Sequence, residues 1–393
     1  MLSFFTKEWK KSNVYKSIVS LIRKERCCTC CKVPLRLPLL TETERDKIDD
    51  IPEGLIFFSI TEDIPQISTP EGWQSSTTED RGEPELGLRL TYTPGNVPPF
   101  SLAQWNNFFD LPTNGGEFTS VSVTGNEVTL IGGTNITIKA SLFRTSDKLV
   151  KIQDDINCVT SIAGGKVSGA FSACPNLTTV SLNGVTSVDW ETFANSTSLI
   201  DVSLTSALTV GIDSFYKCTS IVTLVLPSLI SCGHSAFYAC TGLVTFTATV
   251  LNFAGDSCWS GCSSLSALNV PSLTVTGQKS WAGCSSLTNF SNSSLITAGI
   301  ESWKNCSNLA GFDCVNCTTI GAGAFYNCSS LGTVDLRLCT ALGNDVLNNN
   351  VFYGCASLTK ITVPTALATI NSGNPDGDIT YANSTYGTII VYV

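Results

Sequence analysis

The stretch Ala236-Phe237-Tyr238-Ala239-Cys240-Thr241-Gly242-Leu243 decides the fold, because it recurs as Ala324-Phe325-Tyr326-Asn327-Cys328-Ser329-Ser330-Leu331 and in outline between and around them. Phe171, Phe193, Phe215, Phe237, Trp259, Trp281, Trp303 and Phe325 follow one another at an unbroken interval of 22. Three residues after each stands Cys174, Ser196, Cys218, Cys240, Cys262, Cys284, Cys306 or Cys328, and six after stands Leu177, Leu199, Ile221, Leu243, Leu265, Leu287, Leu309 or Leu331. One more copy, Phe352, Cys355 and Leu358, follows five inserted residues in the segment 343–350. A fixed period of this length is the mark of a solenoid.

The physics of one coil follows from its spacing. Nine residues after the aromatic comes a second apolar position, filled by Val180, Val202, Leu224, Phe246, Leu268, Phe290, Phe312, Val334 and Ile361. Two further on are Leu182, Leu204, Leu226, Ala248, Val270, Cys314, Leu336 and Val363, with Asn292 the exception. Apolar residues two apart, with polar ones between, predict a short half-buried strand. Pro227, Pro271 and Pro364 stand just after that pair, where a residue that cannot donate to a ladder ends it. The Phe-x-x-Cys-x-x-Leu portion has the spacing of a short helical turn. Neither part buries its apolar face alone, so coils must stack, with strands in parallel about 4.8 Å apart and like residues in ladders.

This phrase resembles the BspA-like leucine-rich repeats, in which a coil reads roughly Ala-Phe-x-x-Cys-x-x-Leu-x-x-Ile-x-Leu-Pro. The resemblance spans residues 142 to 370. It implies a leucine-rich-repeat solenoid and a non-enzymatic surface protein of bacteria, some protozoa or phages, implicated in attachment, and it carries no catalytic residues onto this chain. Residues 105–139 are similar to the domain that often precedes such repeats in phage-encoded members, which points toward a virion.

The expected fold class is therefore α+β/β-solenoid: 22-residue coils of parallel strand plus short helical turn, preceded by a small α+β domain and an extended N-terminal anchor. Residues 1–31 read as a basic amphipathic anchor helix with a cysteine cluster, 32–85 as an extended Pro/Thr/acidic connector, 86–141 as the α+β unit, 142–375 as the repeats and 376–393 as a C-terminal capping strand. In the α+β unit, 86–92 alternates as a strand, and Ser101-Leu102-Ala103-Gln104 is a capping box opening a short helix. Residues 118–123, 128–131 and 136–139 then read as a β-meander. Leu142-Phe143, Ser146, Leu149 and Ile152 form an atypical first copy, six residues out of phase with Phe171.

Composition excludes several function classes. Charged residues are 14% of the chain and its formal net charge is −9, with 13 acids against 7 bases from residue 151 onward, which disfavours a nucleic-acid partner. No apolar run reaches 18 residues, so no transmembrane helix is expected, and 1–26 lacks the apolar core and cleavage site of an ordinary secretory signal. Eight of the 18 cysteines stand at one inward-facing repeat position, where a small thiol packs well, and a few cross-coil bridges are the alternative.

At the N-terminus Trp9, Lys10, Lys11, Arg23 and Lys24 belong to a basic amphipathic segment suited to docking on other structural proteins of an assembly, or on an anionic surface. Cys27-Cys28-Thr29-Cys30-Cys31 admits a metal, thiol-redox or lipidation reading, but its spacing cannot easily supply a tetrahedral site and no βαβ context follows. No metal, cofactor or catalytic residue is expected. His234, the only histidine, reads as structural.

A function fits best on the outward positions of the repeat strand, and the candidate binding residues are Ser181, Asp201, Ser203, Thr223, Thr245, Thr247, Asn269, Asn289, Asp313 and Asp335. Small hydroxyls, amides and scattered acids suit a host-surface glycan or protein. The same residues also suit a strand face that is merely solvated. Four readings follow: a recognition protein displayed on a phage particle, a bacterial surface adhesin, a purely structural virion component, or a thiol or metal protein using Cys27 to Cys31. The virion is the expected location and the bacterial surface the alternative.

Overall fold

The computed structural model describes residues 56–58, 65–69, 72–75, 87–110, 116–164, 169–343, 350–367 and 378–393. The chain divides into two compact units, Met1–Pro84 and Glu85–Val393. In the first, Ile56–Phe58, Pro65–Thr69 and Gly72–Ser75 form an antiparallel sheet, with Phe58 opposite Pro65 and Thr69 opposite Gly72. The stretch expected to run as an extended connector thus contains a small meander, its apolar islands long enough to pair. The anticipated anchor helix with Trp9, Lys10, Lys11, Arg23 and Lys24, and the Cys27 to Cys31 cluster, lie outside the described residues.

The second unit is a β-solenoid in which each residue of a coil lies beside the residue 22 positions later. Thr223, Leu224 and Val225 pair in parallel with Thr245, Phe246 and Thr247, and these in turn with Ala267, Leu268 and Asn269. Each coil contributes two strands rather than the one expected. A second, two-residue strand follows the first and builds a continuous ladder from Val159–Ile162 through Ser231–Cys232 and Phe253–Ala254 to Ala341–Leu342. Its inward members include Val188, Val210, Cys232, Ala254, Ala298 and Ile320, all buried. Two residues are too few to show an alternating pattern, so this ladder is invisible to periodicity. The three-residue strands fall into three sheets, with breaks after Asp201–Ser203 and after Ala267–Asn269.

The aromatic end of the coil is a tight turn whose backbone bonds to the next coil. In it, the residues two before and two after the aromatic adopt the left-handed conformation in most coils: Glu191 and Asn195 around Phe193, Asp213 and Lys217 around Phe215, Ser235 and Ala239 around Phe237. Such a conformation costs an L-residue about 1–2 kcal/mol. Alternate amides offset it by donating to the coil above: Glu191 to Ile212, Phe193 to Ser214 and Asn195 to Tyr216, at 2.9, 2.7 and 2.7 Å. Within the turn, Cys218 N–H donates to Phe215 C=O, the three-residue closure expected of a short helical turn, but the left-handed residues prevent a helix from continuing.

The thiol at the third position does more than pack. Cys218, Cys240, Cys262, Cys284, Cys306 and Cys328 each donate to the carbonyl of the aromatic in the preceding coil at 3.0–3.2 Å, and Ser196 does the same at 2.7 Å. A side chain that is small, buried and able to donate is therefore required there, which explains why serine alone replaces cysteine.

The aromatic residues stack in one row. From Phe143 to Phe352, neighbouring ring centroids are 5.0–5.9 Å apart, and Trp259, Trp281 and Trp303 are tilted by only 2° and 11° from one to the next. Phe246, Phe290 and Phe312 from the strand side meet this row edge-on, the other favourable geometry of aromatic quadrupoles. A glycine column, with Gly211, Gly233, Gly255, Gly277, Gly299 and Gly321, marks the corner after the two-residue strand. A Cβ at Gly255 would sit 2.6 Å from the backbone carbon of Gly233, so no other residue lets the coils close there.

Both ends of the row are covered. Leu88–Tyr92 pairs antiparallel with Leu149–Asp154 on one side and with Glu127–Gly132 on the other, and a short helix, α1 (Leu102–Phe108), begins at the expected Ser101/Gln104 capping box. Arg89 is held by Asp155 at 2.7 Å across this junction. Ile136–Ile138, expected as the third strand of a meander, instead pairs in parallel with Val159–Ile162, so the α+β unit runs directly into the solenoid. At the other end, Ile389–Tyr392 pairs with Lys360–Val363, preceded by a second helix, α2 (Asp378–Tyr386). That helix was not legible, because Asp-Ile-Thr-Tyr-Ala-Asn-Ser-Thr-Tyr has little intrinsic helix preference.

The Nε1 groups of Trp259, Trp281 and Trp303 are buried without an acceptor. Leaving such a donor unsatisfied costs about 1–3 kcal/mol, comparable to the apolar area that a shift from indole to phenyl removes. Trp281→Phe is therefore expected to change the unfolding free energy by less than about 1.5 kcal/mol, whereas Trp281→Ala, which opens a cavity in the row, lowers it by about 3–5 kcal/mol. Urea unfolding of both variants measures the difference; equal losses would show that the row is not packed as described.

Candidate functional site

The three-residue strands present two outward columns, and the structure places the predicted residues on them. Ser181 lies beside Ser203, and Asp201 beside Thr179, in the first sheet. Thr223 lies beside Thr245, and Thr247 between Val225 and Asn269, in the second. Asn289 lies beside Gly311, and Asp313 beside Asp335, in the third. Asp201, Thr223, Asn269, Asn289 and Asp313 are exposed, and the other five are half-buried. Parallel pairing sets the columns at a strand spacing of about 4.8 Å, so a ligand lying along the stack meets a hydroxyl, amide or carboxylate at each step. The sheet breaks divide the ten residues into three groups on one face.

Several of these side chains are engaged within the protein. Ser203 Oγ donates to Asn183 Oδ1 at 2.7 Å. Asp335 forms an ion pair with Arg337, whose guanidinium holds its carboxyl below the usual carboxylate range. That pairing relieves the repulsion between Asp335 and its neighbour Asp313 and leaves Asp201 and Asp313 as the exposed acids among the ten.

Apolar residues interrupt the polar face on its early coils. Ile200 and Val222, immediately before their strands, and Val225 within its strand are each about half exposed. They flank Asp201 and Thr223. The two-residue ladder carries a second exposed apolar group, Leu208, Ile230 and Phe253, on successive coils. Sequence reading missed it because the ladder itself was missed. On the turn side, Tyr216 stacks on Tyr238 at 5.2 Å and Tyr326 on Tyr353 at 4.7 Å, so these tyrosines line the outside of the turn in pairs. A separate recess of about 430 Å³ near α1 is lined by Tyr92, Phe100, Trp105, Phe108, Phe143 and Lys148, among others.

The geometry supplies little for covalent chemistry. His234 Nδ1 lies 3.4 Å from Asp256 Oδ2 on the next coil, and both are largely exposed. Among the described residues no cluster of His, Cys, Asp or Glu could hold a metal ion, and no helix is long and apolar enough to cross a membrane. The described cysteines are free and buried. Burial pushes the Cys174, Cys306, Cys317 and Cys355 thiols up to about 12, away from the thiolate form that nucleophilic or metal chemistry requires.

The pattern described as BspA type leucine rich repeat region matches residues 124–244 and 231–350, in 6 copies, together more than half of the chain. The chain belongs to the BspA-type leucine-rich repeat family. Solved structures similar to these BspA-type repeats include a leucine-rich repeat protein of Bacteroides ovatus (18% identity, 87% of this chain and 99% of that one, TM-score 0.35). A leucine-rich cell surface protein of Faecalibacterium prausnitzii is also similar (16%, 72% and 92%, TM-score 0.33), as is a leucine-rich repeat protein of T. pallidum (21%, 36% and 58%, TM-score 0.26). The chain thus spans little more than half the length of the T. pallidum protein. No curated protein matches the sequence.

The thiol ladder predicts the response of these repeats to alkali. The buried thiols of Cys306 and Cys355 stay protonated when folded but release their protons near 9.0 when unfolded. Their contribution is therefore complete below about pH 9 and declines as pH rises toward about 12. The urea midpoint is expected to fall steadily from about pH 9 upward; a midpoint that stays level to about pH 11 would contradict the burial of these groups.

Proposed function

We propose that this protein is a non-enzymatic recognition module whose three-residue strand face attaches to a protein or glycan on a host cell surface. The observation that carries this reading is the exposed face on the early coils, where Asp201 and Thr223 are flanked by the exposed Ile200, Val222 and Val225. A polar face kept only for solubility has no use for a grouped apolar patch, whereas recognition surfaces combine an apolar centre with a polar rim. Repeats of this family generally serve as interaction scaffolds, and the F. prausnitzii protein is described as a cell surface protein.

The finer reading is a fibre or decoration protein of a phage virion, held in the particle by the region 1–85 and displaying the repeats outward. The basic segment around Trp9, Lys10, Lys11, Arg23 and Lys24 supports it, as does the similarity of residues 105–139 to the domain preceding repeats in phage-encoded members. A bacterial surface adhesin uses the same face with a different anchorage.

Binding of the full-length protein to host cells and to arrayed glycans tests the face. Val222→Arg and Asp201→Arg are each expected to weaken binding at least about tenfold, as residues central to an interface do, while changing the unfolding free energy by no more than about 0.5 kcal/mol, since both sites are exposed. Binding that survives both substitutions would remove this face from the function. Mass spectrometry of purified particles tests the virion assignment separately, and absence of the protein from them would leave the cell surface.

A further inference from the structure

Two buried thiols outside the ladder face one another across a coil boundary. Cys232 ends the two-residue strand Ser231–Cys232, and Cys258 stands one coil higher, directly before Trp259. Their sulfur atoms are 2.8 Å apart, well inside the roughly 3.5–4.0 Å of ordinary non-bonded contact between heavy atoms. Both residues are at most 2% exposed. The corner has room for the pair because its companions are small: Ala254 is the next member of the Cys232 column, and Ala236 lies one coil below Cys258.

This pair differs from the thiols of the ladder. Ladder thiols such as Cys240 and Cys262 each have a carbonyl partner at 3.0–3.1 Å. Cys258 has Cys232 as its near partner, and Cys232 reaches a carbonyl, that of Phe253, only at 3.9 Å. The sulfurs have approached one another instead of a backbone acceptor.

We propose that Cys232 and Cys258 are a disulfide-forming pair that cross-links successive coils of the solenoid when the protein meets a disulfide oxidant. In the reaction each thiol gives up one hydrogen, a sulfur–sulfur bond of about 2.05 Å forms, and a small disulfide of the RS–SR class accepts two electrons and two protons and leaves as two RSH molecules. Because the closed coil admits no reagent to the pair, exchange takes place while the coils are assembling, before Trp259 seals the corner. The bond closes a loop between residues 26 positions apart and withdraws that freedom from the unfolded chain.

The experiment refolds the full-length protein from denaturant in glutathione disulfide, removes the disulfide reagent, returns the protein to denaturant with an alkylating agent that blocks every remaining thiol, and maps linked fragments. No Lys or Arg lies between Lys217 and Lys279, so trypsin alone leaves both cysteines on one peptide. Cleavage before Asp256, and after Phe237, Tyr238 and Trp259, separates Cys232 from Cys258 and each from Cys240 and Cys262. The expected result is a Cys232–Cys258 fragment lighter by two hydrogens than the sum of its parts, lost on reduction. The oxidised protein should also unfold at a higher urea concentration than the reduced one, a difference that disappears in Cys258→Ala. Alkylation of both residues once the refolded protein is opened in denaturant, or linkage of Cys240 to Cys262 in their place, would overturn the proposal.

Discussion

The structure depends on one constraint: every coil offers its backbone amides and carbonyls to its neighbours, and they are satisfied only if the next coil repeats the same path, with any extra residues looped out between the paired segments. Along the three-residue strand, along the two-residue strand and around the turn, N–H groups of one coil meet carbonyls of another at a fixed sequence offset. A coil one residue longer would invert the side chains on its strands and place polar groups in the core. The period of 22 is therefore a hydrogen-bonding requirement, and the columns of like side chains are its consequence. Where the chain departs from it, between Phe143 and Phe171 and between Phe325 and Phe352, the rings still stack at 5.3 and 5.8 Å.

The same constraint explains residues that look unsuitable in isolation. Non-glycine residues in left-handed turns, such as Glu191, Lys217 and Ala239, are tolerated because their amides have partners fixed in the next coil. Asn292, which stands where neighbouring coils have an aliphatic side chain or a thiol, is buried but fully bonded. Its amide donates to Val270 and Leu273 carbonyls, and its Oδ1 accepts from the Ser294 and Leu295 amides. A buried polar group is tolerated when each of its atoms has a partner.

Much of this could be read from the sequence and some could not. The aromatic row, the inward thiols and the three-residue strand were legible, because each repeats a side-chain type at a spacing that burial demands. The hydrogen-bonding role of the thiol could have been inferred from Ser196, a replacement that keeps a donor while losing apolar character. The two-residue ladder was hidden, since a strand that short has no alternation, although the Gly211 to Gly321 column marked the corner beyond it. Of the candidate site, the outward columns were predictable from strand parity. Their division into three sheets, the capture of Asp335 by Arg337 and the patch around Val222 depend on neighbours 2 to 22 residues away, which no local pattern reports.

The uniform contact between coils also bears on heredity. A duplication or deletion of one whole unit in the gene would join a coil to a neighbour of the same kind, so the new junction would resemble those already present. The reach of the protein could then change in single steps without any refitting of its interior, while the two closing segments, Leu88–Tyr92 at one end and Ile389–Tyr392 at the other, stay as they are. Length, more than the chemistry of any single residue, is the property that such an architecture leaves open to variation.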